Sequence, residues 1–199
     1  MSRLGIFVEI DVELWVSRGL GLVIARRSLR DSIPVFEQAL AAFDQLPAAM
    51  RTSDYGRENE FIVHCAIARS LAAAGRSDDA RAQADQGLAL AAGDLFHVAT
   101  CELLVAMMWR ELGDHDAAAT RFESVSRALR PMIDKADTSA VIGTVEALQQ
   151  LAELRPAEAC SFHDQALTHW RSRPATTAYL HRRQTELERA AAGCHAATK

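Results

Sequence analysis

Apolar residues in this chain return every three or four positions, and glycine and proline cut the returns into segments of helical length. Between about 57 and 74, Ile62, Cys65, Ala68 and Leu71 share one stripe, the spacing of a helix that buries one face. Gly75 stops that helix, because glycine adopts the left-handed conformation beyond a helix end without a Cβ clash. Ser77 or Asp78 can cap the next helix, and Asp78 and Asp79 suit its positive end. Ala80, Ala84 and Leu88 form its stripe. Small residues there let two antiparallel helices joined by so short a turn approach closely.

The same punctuation runs along the chain. A helix is expected from about Val12 to Arg27, weakened by Gly19 and Gly21. Asp31 or Ser32 caps a second, with Pro34 in its first turn and Phe36, Ala39, Leu40 and Phe43 on its stripe. Pro47 ends it, and residues 47–57 form the longest connector, a candidate mobile loop. Gly93 and Asp94 make a stop and a new cap. A helix from Leu95 to Leu112 carries Leu103, Ala106 and Trp109, and Gly113 breaks it. Asp114 or His115 starts another, with Ala118, Phe122 and Val125, which ends near Leu129 before Pro131. Thr138 or Ser139 opens a helix to about Leu154. Pro156 sits in the first turn of the next, which holds Ala159, Ala166, Leu167 and Trp170. A last, charged helix spans about 175–192, with Tyr179, Leu180 and Leu187 as a sparse stripe, and the final residues are expected to fray.

Residues 5–16 read two ways. Ile6, Val8, Ile10, Val12, Leu14 and Val16 alternate with polar residues, as in a strand. Phe7, Ile10, Leu14 and Trp15 also share a helix face. A lone strand has no partner elsewhere in the sequence, so helix is the better reading. A strand would open edge pairing between two copies, a homodimer.

Composition narrows the class. The chain is 49% hydrophobic with 10 glycines and 5 prolines, which excludes a disordered or fibrous chain. The net charge of −4 comes with only scattered arginine pairs, Arg26–Arg27 and Arg182–Arg183, so no concentrated basic face invites nucleic acid. No run approaches the length of a membrane span. Leu20 to Ala25 is apolar, but its flanking charges are wrong for a secretion signal. Cys65, Cys101, Cys160 and Cys194 are far apart, with no C-x-x-C, so reduced thiols in a cytoplasmic protein are expected.

The turns overlay. Ala68, Gly75, Asp78 and Ala80 map onto Ala106, Gly113, Asp116 and Ala118 at a shift of 38. A further 41 brings Ala118 onto Ala159, and moving back by 48 takes Gly87 and Leu88 to Ala39 and Leu40. At these residues the chain resembles the tetratricopeptide repeat family. Its pattern of a small residue, a turn glycine, an alanine five residues on, and a small–apolar pair is matched by Ala68, Gly75, Ala80, Gly87 and Leu88. Ala106, Gly113 and Ala118 match it again, with Phe122 as the expected aromatic. The pairs at the two ends match less fully, and the spacings exceed the family's usual length of about 34. The resemblance implies an all-α, right-handed α-α superhelix of about four helix pairs, near 12–46, 57–92, 95–130 and 138–171, plus a C-terminal capping helix in one domain. The style is similar to the sensory arrays of bacterial regulators, in which case the last helix could lead into an output domain.

The family binds peptides along the concave face of the first helices. Carried over, that face is Leu14, Ser17, Gly21 and Ile24; Ile62, Cys65 and Arg69; Leu103, Met107, Arg110 and Glu111; then Val141, Thr144, Leu148 and Leu151. The core of the expected partner-binding groove is Ile62, Cys65, Arg69, Leu103, Met107, Arg110, Glu111, Thr144 and Leu148. Arg18, Ala66, Leu104 and Val145 stand where a carboxylate clamp would be, so that clamp is not expected. An apolar groove with two arginines suits an amphipathic helix or an apolar peptide. The alternative is a small-ligand pocket near Arg69 and Arg110.

Little else carries chemistry. Cys160, His163 and His169 lie on one helix, but no second His or Cys pair at usable spacing completes a four-ligand site, so no metal is expected. No phosphate-binding glycine loop, nucleophile elbow or H-E-x-x-H occurs. Neither a cofactor nor catalysis is expected. Trp15, Trp109 and Trp170 are read as packing residues.

Overall fold

The computed structural model describes residues 29–133, 138–172 and 178–197. The expected helix over 12–27 and the ambiguous segment 5–16, with its dimer reading, lie outside the described residues. Among the described residues the chain is all-helical, without a strand. It divides into two compact units, Met1–Asp114 and His115–Lys199.

The first unit holds α1 (Leu29–Gln45), a single turn α2 (Ala48–Arg51), α3 (Asp54–Ala73), α4 (Ser77–Ala91) and α5 (Leu95–Glu111). α3 is its centre and packs against the other four. Phe36, Phe43, Phe61, Val63 and Met108 are its largest fully buried side chains. The α3–α4 turn is built as expected. Gly75 has φ +80°. Its N–H donates to the Ala72 carbonyl, and the Arg76 N–H reaches back to Leu71 (both 2.9 Å). This 5→2 and 6→1 pair satisfies the last free carbonyls of the helix. The arrangement recurs 38 residues later, where Gly113 (φ +82°) bonds to Arg110 and Asp114 to Trp109 (both 3.0 Å).

The buried stripe of α4 is Ala80, Ala84, Gly87 and Ala91, smaller than expected, and Leu88 is only half-buried. A Cβ on Gly87 would stand 2.3 Å from Cys65 Sγ and 3.2 Å from the Phe61 carbonyl. The two helices therefore touch backbone to backbone at this point, which only glycine permits. Across the helix pair, His64 Nδ1 lies 2.7 Å from Gln83 Oε1. Ser32 and Ser70 place their hydroxyls 2.7 Å apart in the α1–α3 contact, shielded from water.

Several helix boundaries differ from expectation. Ser32 is not a cap; it is buried inside α1, and Pro34 is interior too. The expected loop over 47–57 is mostly helical. The Ser53 hydroxyl accepts the Gly56 N–H (3.1 Å) and donates to the Met50 carbonyl (2.6 Å), so α3 starts almost at once. Ser77 is the first residue of α4 and caps nothing; no side chain caps that helix. Asp94 does cap α5. Its Oδ1 accepts the His97 N–H (2.9 Å), and that backbone bond holds the carboxyl below its ordinary value.

The second unit holds α6 (His115–Ile133), α7 (Thr138–Leu154), a 3₁₀ turn at Pro156–Glu158, α8 (Ala159–Arg171) and α9 (Ala178–Ala197). Each helix packs on the next. α6 runs past its expected end and includes Pro131. Phe122, Val125, Leu151, Ala166 and Leu187 anchor the core. The buried positions of α4 reappear in α6 at the same shift of 38, with Ala80 onto Ala118, Ala84 onto Phe122 and Gly87 onto Val125. α9 is fixed by Arg183, which donates to Gln149 (2.6 Å) and Glu146 (3.3 Å) on α7. Gln184 and Arg171 both donate to Glu188 and lower its carboxyl below the usual range. No described helix is long and apolar enough to cross a membrane.

Candidate functional site

The expected groove residues separate into three groups. Ile62, Arg69, Leu103 and Arg110 are partly exposed, and Glu111 is exposed. Ile62 and Arg69 are seven residues apart on one face of α3, as Leu103 and Arg110 are on α5. The Arg69–Glu111 ion pair (3.4 Å) sets the two helices side by side there. Cys65 and Met107 are buried in the first unit and line no groove, which corrects their assignment. Thr144 and Leu148 are likewise buried, in the core of the second unit, with Thr144 Oγ1 finding no acceptor among the described residues. The physical reason is the same for all four. The expectation left one face of each first helix open, whereas α3, α5 and α7 are each packed against more than one helix.

The cysteines also depart from expectation, since all four are paired. Cys65 on α3 bonds to Cys101 on α5, with Cα atoms 5.5 Å apart and both residues 0% exposed. Cys160 on α8 bonds to Cys194 on α9, at 5.4 Å. These Cα separations lie in the middle of the range a disulfide requires. Sequence carried a usable signal here. The 36-residue spacing of Cys65 and Cys101 is close to the repeat shift, which brings side chains of successive helix pairs to similar levels, whereas Cys160 and Cys194 join two consecutive antiparallel helices.

A cavity of about 590 Å³ opens in the second unit beside the second disulfide. Cys160, Ser161, Asp164, Gln165, Thr168 and His169 of α8 line it, with Arg130 from α6 and His195 from α9. His195 Nε2 lies 3.0 Å from Asp164 Oδ2, so α9 is tied to α8 next to the disulfide. Gln165 donates to the Ser161 hydroxyl (3.2 Å), and Thr168 donates to the Asp164 carbonyl (2.8 Å). One arginine, two histidines and one carboxylate thus share an open wall of a size that admits small ligands. The sequence places Cys160 and His169 on one helix, as a free thiol and a lone metal-ligand candidate, but gives no link from them to Asp164 or His195. That juxtaposition depends on how α9 docks on α8. No protein-family model, no curated protein and no solved structure matches the chain.

Proposed function

We propose that the chain is a non-catalytic helical scaffold that holds a protein or peptide segment on the α3–α5 face. What supports this reading is the partly exposed Ile62 and Arg69 on one face of α3, with Arg69 paired to Glu111 of α5, and the partly exposed Leu103 and Arg110 on one face of α5. Apolar side chains bordered by charges of both signs suit an amphipathic helix better than a free carboxylate terminus. The tetratricopeptide-like turn recurring at Gly75 and Gly113 supports a repeat-based interaction module, of the kind found in bacterial regulators. Two disulfides weigh against the cytoplasm as its compartment and favour an oxidising one.

The test is capture of partners by the full chain from its native host, read by mass spectrometry, beside a Leu103→Glu/Arg110→Glu variant. Both substituted residues are partly exposed, so the fold should tolerate the change. A partner held by the parent chain and lost by the variant supports the α3–α5 face. Equal capture removes it as the binding face.

Small-ligand sensing is a second reading, favoured by the 590 Å³ cavity. It differs from the sequence expectation in placing the pocket in the second unit, away from Arg69 and Arg110.

A further inference from the structure

Cys160 and Cys194 are both only partly buried, and Cys160 lines the open cavity. A Cβ built on Gly193, the residue before Cys194 in α9, would meet no other described part of the chain within 4 Å. The two sulfurs also sit at opposite helix ends. Cys160 is the second residue of α8, and Cys194 lies in the last turn of α9. The positive end of a helix stabilises a thiolate and the negative end disfavours one. The sulfur better able to leave as an anion is therefore Cys160.

We infer that Cys160–Cys194, with Cys160 on the cavity wall and Cys194 partly exposed beside it, is a thiol–disulfide exchange site for an anionic low-molecular-weight thiol. Arg130 on the cavity wall supplies the attraction for the anionic groups of such a thiol, and the Asp164 carboxylate on the same wall is engaged by His195. The incoming thiolate attacks Cys194 Sγ. The S–S bond breaks, its electron pair goes to Cys160 Sγ, and a mixed disulfide remains on Cys194. A second thiolate attacks the outer sulfur of that mixed disulfide, and Cys194 leaves as a thiolate. Both protein thiolates take up the protons the two small thiols gave up. In balance, two small thiols are oxidised to one small disulfide and the protein disulfide is reduced to two thiols. Opening the bond removes the covalent tie of the last turn of α9 and leaves its His195–Asp164 contact, while Leu187 and Arg183 keep the body of that helix docked.

The test exposes the full native chain to glutathione, or to the uncharged thiol 2-mercaptoethanol, quenches with N-ethylmaleimide, and maps each cysteine by mass spectrometry. Cys160 and Cys194 should open at least about tenfold faster than Cys65 and Cys101, as expected where access controls exchange. The trapped glutathione adduct should sit on Cys194. Arg130→Ala should lower the ratio of the glutathione rate to the 2-mercaptoethanol rate by about twofold or more, as loss of one steering charge predicts. Equal opening of the two pairs, earlier opening of Cys65–Cys101, or no opening before the chain unfolds overturns the site. An adduct on Cys160 overturns the direction of attack, and an unchanged rate ratio overturns the preference for an anionic thiol.

Discussion

The two disulfides span nearly equal lengths of chain, 36 and 34 residues, yet stand in opposite surroundings. Cys65–Cys101 is sealed between α3 and α5, with the backbone of α4 pressed on it at Gly87. Cys160–Cys194 clips the end of a terminal helix to the wall of an open cavity. Because the loops match, the constraint each bond places on the unfolded chain is the same, about 4 kcal/mol in the chain-entropy picture. Whatever separates the two bonds must come from the folded state. One bond is part of a packed core, and the other holds an edge.

Removing each pair isolates that difference and gives the largest effect. Cys65→Ala/Cys101→Ala should cost about 5 kcal/mol, the loop contribution plus about 1 kcal/mol for small cavities in the core. Cys160→Ala/Cys194→Ala should cost about 4 kcal/mol or less, since water can fill the space left behind. Urea denaturation of the two variants checks this. A larger loss for the second pair would mean that burial is not what distinguishes them.

A single methyl group probes the seal directly. Gly87→Ala drives a Cβ into Cys65 Sγ, an atom whose disulfide bond prevents it from swinging aside. Overpacking of this kind costs about 2–3 kcal/mol. In a Cys65→Ala/Cys101→Ala background the sulfur is gone and part of the penalty should disappear. If the costs of the two changes simply add, Gly87 and the disulfide are not one packing unit.

How much of this was legible depended on the range of the interaction. The turns at Gly75 and Gly113 were readable because the hydrogen bonds that close them span five residues. Ala80 and Ala84 of the α4 stripe were readable because a close crossing demands small residues at helical spacing, but Leu88 was placed where Gly87 and Ala91 are buried. Pro34 and Pro131 misled, since Pro34 suggested a first turn and Pro131 a helix end, and both lie inside helices. Ser53 misled in the opposite sense, since its cap sits in a stretch that reads as loop. The groove was overdrawn at Cys65, Met107, Thr144 and Leu148 because periodicity reports that a face is apolar, not what covers it. The disulfides were missed for a related reason: pairing is decided by which helices become neighbours, and only the spacing near the repeat length hinted at it. Asp164 and His195 come from helices whose docking no local pattern encodes.

The smallest expected effect is the most discriminating because its sign reverses. Gly87 faces the Cys65 bond across a helix pair, whereas Gly193, the residue before Cys194, faces open space. It also lies within α9, with no positive φ to preserve. Glycine there leaves the unfolded chain more freedom to lose than alanine would. Gly193→Ala should therefore stabilise the second unit by about 0.5 kcal/mol, diminished by the position's closeness to the helix end. Parallel urea denaturation of the two glycine variants would show opposite shifts in midpoint. A loss at Gly193 comparable to that at Gly87 would mean that the end of α9 is packed as tightly as the α3–α4 crossing, and the contrast between a sealed region and an open one would fall with it.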